Sequence, residues 1–283
     1  MKIIVGRTAG FCYGVERAVK GAIQEAKKSK KPIFCLGEIV HNRQVIENLE
    51  NLGVNCIETL EAVEGKVLIR AHGIAKEVYD LAEEKQITIQ DYTCPNVLKI
   101  HKIAEEFNKK GYFIFLLGSK KHPENIGTIS YCGEDSYMIE NESEVIKALQ
   151  VFEETKKNKL ALLSQTTYSL EKFEIIKEKI KNEIKPEINF VVKNTICHAT
   201  ELRQKETKQL AKQVNTMIII GGKNSSNSRK LYEVAQKECN NTFCIETSKE
   251  LKENKIIGKV GIMAGASTPK ESIEDVINFL KQQ

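Results

Sequence analysis

Short apolar runs that end in polar turns alternate along the chain with longer amphipathic stretches. Runs at 33–36, 113–117 and 217–220 are each followed by glycine, whereas 171–183 and 273–280 carry apolar residues at helical spacing. Continuous apolar runs of this length are typical of buried parallel strands. The alternation predicts parallel sheets with helices on their faces and ligand-binding loops at the carboxyl ends of the strands.

The pattern occurs three times, each time with a cysteine at a predicted strand-to-helix turn. Cys12, Cys94 and Cys197 follow the apolar runs 3–5, 87–89 and 190–192, and they are separated by 82 and 103 residues. Polar turns recur downstream in the same order, first at His41, His122 and Ser225, then at His72, Thr166 and Ser267. Because this period is far too long for a solenoid, we predict three similar α/β lobes at 1–89, 90–187 and 188–283.

Composition narrows the class of protein. Of the 283 residues, 41% are hydrophobic and 29% are charged, so a folded core is expected and disorder is not. The net charge of +5 comes from lysines spread over helix faces, which indicates a solvated surface and not nucleic-acid binding. No apolar run is long enough to span a membrane, and the first strand begins at Lys2 without room for a signal peptide. We therefore expect a cytoplasmic protein with reduced thiols.

Three thiols without a matching fourth predict a metal centre with one position left open. Helix N-termini stabilise thiolates, and the lack of a C-x-x-C pair weighs against a structural zinc ribbon. Iron–sulfur and zinc both suit an all-thiolate site, and we favour a [4Fe–4S] cluster held by three cysteines. The other five cysteines are predicted to be structural, with Cys35, Cys56 and Cys244 buried beside apolar strands and Cys132 and Cys239 lacking partners at ligand spacing.

Imidazoles, hydroxyls and amides gather in the recurring loops. Helix N-termini with such groups bind anions, and neither a Walker loop nor G-x-G-x-x-G is present, so we expect a small phosphorylated ligand and not a nucleotide. Helix capping is the simpler role for one hydroxyl per loop, but it does not account for the run Ser225-Ser226-Asn227. The candidate binding residues are His41, His72, His122, Thr166, Ser225, Ser226, Asn227 and Ser267.

Glu124 is the one carboxylate placed among these ligand-facing groups. A carboxylate would repel an anionic ligand, so its position indicates a proton donor whose pKa is raised by burial. The alternative is an ordinary acidic residue in the first turn of a helix that starts at Pro123.

Taken together, the motifs resemble those of the 4-hydroxy-3-methylbut-2-enyl diphosphate reductase family, over essentially the whole chain. The matching segments are 10–15, 38–42, 71–73, 93–95, 122–124, 164–167, 194–200, 225–228 and 265–269. The resemblance implies three pseudo-symmetric α/β lobes, a trefoil with mainly parallel sheets around a central iron–sulfur site. Tyr168, where the family usually has Leu, is a slight departure that concerns the shape of the substrate pocket.

The resemblance also implies roles for the candidate residues. Cys12, Cys94 and Cys197 would hold the [4Fe–4S] cluster, with the fourth iron open to the substrate. His41, His72, Ser225, Asn227 and Ser267 would bind the diphosphate, with His122 and Ser226 close by. Glu124, Thr166 and His122 would form the catalytic group, with Glu124 supplying protons.

The implied reaction is the reductive dehydroxylation of 4-hydroxy-3-methylbut-2-enyl diphosphate to isopentenyl and dimethylallyl diphosphate, the last step of the non-mevalonate (methylerythritol phosphate) isoprenoid pathway. A ferredoxin or flavodoxin would supply the electrons. Two alternatives remain from the residues alone. One is a zinc hydrolase with three thiolate ligands and Glu124 as base. The other is a non-catalytic phosphometabolite-binding or iron-sensing protein built on the same loops.

Overall fold

Strands and helices alternate along the part of the chain that the computed structural model describes, residues 1–30, 33–61, 63, 65–252 and 255–282. The strands are Ile3–Val5 (β1), Ile33–Leu36 (β2), Val54–Ile57 (β3), Lys66–Ile69 (β4), Thr88–Asp91 (β5), Phe113–Leu117 (β6), Ser136–Ile139 (β7), Lys159–Ser164 (β8), Asn189–Val192 (β9), Thr216–Ile220 (β10), Thr242–Ile245 (β11) and Val260–Ala264 (β12). The α-helices are Tyr13–Lys28 (α1), Arg43–Asn51 (α2), Lys76–Glu84 (α3), Pro95–Lys109 (α4), Pro123–Cys132 (α5), Val145–Glu154 (α6), Leu170–Glu183 (α7), His198–Ala211 (α8), Ser226–Gln236 (α9) and Lys270–Lys281 (α10). Short 3-10 helices lie at Glu142–Glu144 and Ser248–Leu251.

The described strands form three four-stranded sheets in which each recorded pairing is parallel. Their orders are β3-β2-β4-β5, β7-β6-β8-β9 and β11-β10-β12-β1. The three orders are equivalent if β1 is counted as the last strand of the third repeat. The prediction of three α/β lobes with parallel sheets is confirmed.

Alternate residues of a central strand supply two separate cores. From β6, Phe113, Phe115 and Leu117 pack on one face of their sheet, in a core that includes residues of α6 and α7. Ile114 and Leu116 pack on the opposite face, in a core that includes residues of α4. A strand covered on both faces has no polar side, so it appears in the sequence as a continuous apolar run.

The chain divides into two compact units. The first comprises residues 1–23, 40–52 and 198–283 and contains the sheet of β1, β10, β11 and β12. The second comprises residues 24–39 and 53–197 and contains the other two sheets. No helix within the described residues is long and apolar enough to cross a membrane.

Strand pairing crosses the predicted lobe boundaries. β1 pairs with β12 from the opposite end of the chain, and β9 pairs with β8 although it lies beyond residue 187. β5 likewise continues past residue 89 to pair with β4. Each sheet therefore has, at one edge, the strand that leads to a candidate cysteine. The lobe boundaries 1–89, 90–187 and 188–283 stay a prediction. They do not coincide with the division of the strands among the three sheets.

The expected burial of two structural cysteines is wrong. Cys56 and Cys244 are exposed, whereas Cys35 is buried as expected, and Cys132 and Cys239 are buried as well. Cys56 lies on β3 and Cys244 on β11, and both are edge strands. An edge strand is covered by a neighbouring strand on one side only, so an apolar sequence around a cysteine does not ensure that its side chain is buried.

Candidate active site

Each candidate cysteine is held by the same backbone hydrogen bond. In the first unit, the Cys12 N–H donates to the Ala266 carbonyl at 3.2 Å. In the second unit, the Cys94 N–H donates to Ala71 at 2.9 Å and the Cys197 N–H donates to Thr166 at 3.0 Å. The acceptors lie in the loops after β12, β4 and β8, which are equivalent positions of the three repeats. The repeated local context predicted for the cysteines is therefore observed, and it includes the same backbone hydrogen bond in each repeat.

Solvent exposure separates these cysteines from the other five. Cys12, Cys94 and Cys197 are of intermediate exposure, so their thiols are neither fully buried in a core nor fully exposed to solvent. By contrast, burial raises the pKa of Cys35 and of Cys132 to about 12, so neither is suited to form a thiolate.

Helix α8 holds the loop that precedes Cys12. The buried Arg203 donates from Nη2 to the Gly10 carbonyl at 2.6 Å. Glu206 accepts hydrogen bonds from the Arg7 N–H at 2.7 Å and the Thr8 N–H at 2.9 Å, and its Oε2 also accepts from the Thr8 hydroxyl. Burial opposes ionisation of Glu206, but these hydrogen bonds outweigh it and its pKa is lowered.

In the second unit, short polar side chains shape the turns before the other two cysteines. Asp91 accepts from the Thr93 N–H at 2.7 Å, immediately before Cys94, which is the N-cap residue of α4. Asn194 accepts from the Ile196 N–H at 3.0 Å, immediately before Cys197. Both are local side-chain-to-backbone bonds that favour a turn over a continued strand.

Three loops of the first unit meet around the backbone of His41. The Ser267 hydroxyl donates to the His41 carbonyl at 3.1 Å. A Cβ on Gly222 would lie 2.8 Å from the same carbonyl oxygen, so the loop after β10 also packs against it. Ser225 follows in that loop as the N-cap residue of α9, where its hydroxyl accepts from the Ser228 N–H at 3.3 Å. His41, Ser225 and Ser267 are thus brought together through these loops.

Asn227 is a buried polar residue of the first unit whose side chain these contacts do not explain. It is 4% exposed, and neither its amide nitrogen nor its carbonyl oxygen has a hydrogen-bond partner within the described residues. An unsatisfied buried amide costs about 1–3 kcal/mol, so such a group is expected to meet a polar ligand. Ser226 lies beside it with intermediate exposure in the first turn of α9.

In the second unit, His72 and His122 contact each other edge to face, with ring centroids 5.3 Å apart. His122 is the N-cap residue of α5, and its Nδ1 accepts from the Glu124 N–H at 3.2 Å. Since Nδ1 acts as an acceptor, a neutral His122 ring carries its proton on Nε2.

Glu124 and Thr166 form a buried pair in the second unit. One carboxyl oxygen of Glu124 accepts from the Thr166 N–H at 2.6 Å, and the other accepts from the Thr166 hydroxyl at 2.7 Å. Glu124 is 2% exposed, and burial raises its pKa to about 7 although the two bonds from Thr166 act to lower it. A carboxyl group with this pKa can give and take a proton near neutral pH.

Sequence reasoning assigned no role to several buried polar residues beside these groups. Asn125 and Gln165 flank Glu124 and Thr166, and Ser228 follows Asn227. The Ser228 hydroxyl occupies the space that a Cβ would need at Gly221 and at Gly265. In the sequence, these three residues could have been identified only as polar neighbours of candidate residues. Only the structure shows that they are buried.

The loops that follow the parallel strands carry part-exposed thiols, a buried acid and one buried amide without a partner among the described residues. These features are typical of an α/β enzyme that acts on a small polar ligand. Comparison with known proteins then gives the family. The model of the LytB protein family matches residues 3–281. The chain belongs to the LytB family.

Relatives and solved structures carry one activity in their names. The chain is 42% identical to the 4-hydroxy-3-methylbut-2-enyl diphosphate reductase of Caldanaerobacter subterraneus, over 99% of this chain and 97% of the relative. It is 41% identical to the reductase of Aquifex aeolicus, over 99% and 96% of the two chains.

Two solved structures agree. One is (E)-4-hydroxy-3-methyl-but-2-enyl diphosphate reductase, described as the terminal enzyme of the non-mevalonate pathway, with 38% identity, a TM-score of 0.71 and coverage of 100% and 99% of the two chains. The other is the E-1-hydroxy-2-methyl-but-2-enyl-4-diphosphate reductase of Plasmodium falciparum, with 30% identity, a TM-score of 0.88 and coverage of 99% and 88%. The predicted family and its class, an oxidoreductase, are confirmed.

Proposed function

We propose that the chain removes the hydroxyl group of 4-hydroxy-3-methylbut-2-enyl diphosphate reductively and forms isopentenyl and dimethylallyl diphosphate. Each turnover takes two electrons and two protons, the C–O bond breaks, and the oxygen leaves as water. The observation that carries this proposal is the buried pair of Glu124 and Thr166, which offers a carboxylic acid and a hydroxyl at one point. Cleavage of a C–O bond requires such a proton donor, whereas simple binding of an anion does not.

Cys12, Cys94 and Cys197 would hold a [4Fe–4S] cluster with its fourth iron open to the substrate. The LytB family uses an iron–sulfur cluster. The donor set fits one, because each residue is a part-exposed thiol at the start of a helix and is oriented by the same backbone hydrogen bond. When bound, the cluster supplies electrons and a Lewis-acidic iron for the C–O bond.

The diphosphate would be bound by the polar residues predicted for this role, His41, His72, His122, Ser225, Ser226, Asn227 and Ser267. Asn227 supports this most directly, because its buried amide has no partner within the described residues. Ser225, Ser226 and Ser267 add hydroxyl groups, and the N-terminus of α9 adds main-chain N–H groups. His41, His72 and His122 would contribute imidazole N–H groups to the same ligand.

Glu124 would deliver a proton to the leaving hydroxyl group, and the Thr166 hydroxyl would orient that group by hydrogen bonding. With a pKa of about 7, Glu124 is protonated in a large fraction of molecules at neutral pH. His122 would act beside it, since its Nδ1 bond to the Glu124 N–H ties the two residues together. A ferredoxin or flavodoxin is the proposed electron donor, and a cytoplasmic location stays a prediction from the sequence.

An anaerobic visible spectrum with iron and sulfide analysis, before and after dithionite, tests the cofactor. Wild type is expected to be brown, with a broad band at ~400 nm that bleaches on reduction, and Cys94→Ser is expected to lose this band. Cys56→Ser is the matched control, because it removes an exposed thiol outside the site and should keep the spectrum. A colourless protein that takes up zinc after anaerobic reconstitution would favour the zinc hydrolase instead.

Turnover of the allylic diphosphate by Glu124→Gln tests the acid. The amide has nearly the same shape but cannot donate a carboxylic proton, so we expect the cluster to be retained and kcat to fall by about 100-fold or more. Dithionite-reduced dye as the electron source keeps the assay independent of the natural donor. Turnover by Glu124→Gln at the wild-type rate would show that Glu124 is not the acid. No turnover by the wild type would favour a non-catalytic binding protein.

A further inference from the structure

A second buried pair lies beside Glu124 and Thr166. Asn125 follows Glu124, Gln165 precedes Thr166, and the Asn125 amide nitrogen donates to the Gln165 side-chain oxygen at 2.9 Å. Asn125 is 0% exposed and Gln165 is 2% exposed. The N-terminus of α5 and the loop after β8 are therefore joined twice, once by an acid and a hydroxyl and once by two amides.

The amide pair extends into both loops. Asn125 uses its second amide hydrogen on the Ser119 carbonyl at 2.9 Å, in the loop that leads to His122. Gln165 donates from its side chain to the Thr167 hydroxyl at 2.8 Å and from its backbone to the Leu117 carbonyl at 2.8 Å. Packing allows little displacement, because a Cβ on Gly118 would lie 2.2 Å from the Asn125 amide nitrogen.

We propose that Asn125 and Gln165 are positioning residues that keep the Glu124 carboxyl group in contact with Thr166 while Glu124 gains and loses its proton. The inference rests on the proposed role of Glu124 as the acid. It goes further by assigning a function to two residues whose described side-chain hydrogen bonds go to Ser119, to Thr167 and to each other.

The reason lies in what happens when a carboxyl group changes its protonation state. Ionised Glu124 accepts from Thr166 at both oxygens, but the protonated form has one oxygen that is a donor, so the pairing with Thr166 weakens. Side-chain amides do not titrate in this range, and the contact between Asn125 and Gln165 is the same in both states. It can therefore hold the two loops in register through the proton transfer, which depends on distances kept to a fraction of an ångström.

The proposed positioning role predicts a change in the pH dependence of activity. The Thr166 bonds lower the Glu124 pKa against the effect of burial, so a looser contact raises that pKa further. If protonated Glu124 is required, activity then falls at a higher pH in the variants than in wild type. Among the described residues, the titratable groups next to this pair are His122, bonded to the Glu124 backbone, His72, in contact with His122, and Cys197, whose N–H donates to the Thr166 carbonyl. No bond described for Asn125 or Gln165 involves either imidazole ring.

The experiment measures kcat, KM and the pH profile of the cluster-loaded enzyme with dithionite-reduced dye, for Asn125→Leu, Gln165→Met and the double variant. Both substitutions keep the approximate shape and remove the amide contact. Asn241→Leu is the matched control in the other unit, because Asn241 also donates two side-chain hydrogen bonds, to Thr216 and to the Lys255 carbonyl. Gln165→Met replaces Asn125→Leu as the decisive variant if the latter does not fold.

In each single variant we expect kcat to fall about tenfold and KM to stay within about twofold of wild type. We also expect the basic limb of the pH profile of activity to move to higher pH. The double variant should be no worse than either single variant, because the pair acts as a unit. The inference is overturned if kcat falls equally in Asn241→Leu, if the limb stays in place, or if the two losses multiply. Glu124→Gln in the same series separates the proposals. An active Glu124→Gln defeats the proposed acid, whereas an inactive one with wild-type kinetics in Asn125→Leu and Gln165→Met defeats only the positioning role.

Discussion

Burial favours the neutral form of an ionisable side chain, and the effect is clear at two residues. It raises the pKa of Glu124 to about 7 and lowers the pKa of His101 to about 4. Glu124 keeps two hydrogen bonds, whereas neither ring nitrogen of His101 has a hydrogen-bond partner within the described residues. Only the surroundings of Glu124 supply hydrogen bonds to an ionised form. Glu124 is therefore suited to proton transfer and His101 to packing.

His101 supports the loop that carries His72. Its ring stacks on Tyr131 with centroids 4.2 Å apart. A Cβ on Gly73, which has a φ of +75°, would lie 3.1 Å from the His101 ring, so glycine is required there for both conformation and space. A charged ring in this position would be desolvated, and the Asp91 carboxylate offsets only part of that cost.

The His101 pKa predicts a loss of stability in mild acid. Because the folded-state pKa is depressed from 6.5 to about 4, the unfolded state binds more protons between these values. Stability is therefore fully present above pH 6.5 and falls by on the order of 1–3 kcal/mol as the pH is lowered towards 4. Denaturant midpoints of wild type and His101→Phe at pH 7.5 and pH 5 measure this. We expect a smaller change in the variant, and an equal change would show that another group is responsible.

At the scale of elements, helix α8 links two of the candidate cysteines along the chain. It begins directly after Cys197, and its Arg203 and Glu206 hold the loop before Cys12. Both residues lie within the helix. The hydrogen bonds described for them go to that loop, so through these bonds neither residue would contact a ligand bound by the thiols. A helix with charged residues on its buried side can thus serve a site by orienting the backbone that carries it.

Glu206→Gln tests this contribution. Ionised Glu206 accepts three hydrogen bonds, and a neutral amide accepts them more weakly, so the amides of Arg7 and Thr8 should exchange with solvent about tenfold faster. Hydrogen exchange read by mass spectrometry over residues 6–12 is the measurement. Glu238→Gln is the control, since its carboxylate pairs with Lys208 and Lys212 at 3.6 and 3.9 Å. Equal exchange in wild type and Glu206→Gln would contradict the prediction.

At the scale of the whole molecule, three repeats give three equivalent sheets, each completed by the strand that leads to a cysteine. In every repeat this strand lies next to the strand whose following loop accepts the cysteine N–H. The third repeat obtains its strand from the beginning of the chain, since β1 pairs with β12. The repeated unit is thus defined by pairing and not by continuous sequence.

Close packing between distant segments of the first unit predicts the effect of a small substitution. The Cβ of Gly222→Ala would lie 2.8 Å from the His41 carbonyl, and a backbone atom cannot move aside as a side chain can. We expect the His41 loop to shift and KM for the diphosphate to rise by about tenfold, with a smaller change in kcat. Gly111→Ala, whose Cβ has nothing within 4 Å but whose φ of +75° strains an alanine, is the control for a destabilising substitution away from His41. An unchanged KM would exclude His41 and its loop from substrate binding.

The sequence by itself determined the features that depend on neighbouring residues. Continuous apolar runs such as 113–117 identified strands buried on both faces, and the turns after them identified the loops that carry His41, His122 and Ser225. The recurrence of Cys12, Cys94 and Cys197 was visible for the same reason, since a strand, a turn and a helix start are local.

Only the tertiary structure decided which distant segments meet and how deeply each side chain is buried. It pairs β1 with β12, leaves Cys56 and Cys244 exposed on edge strands, and buries Asn125 against Gln165. A residue's own neighbours do not reveal these outcomes, because strand order and burial depend on contacts between residues far apart in the chain. The sequence therefore indicates which groups are available to the site, and the fold determines which of them are buried, bonded and able to hold a proton.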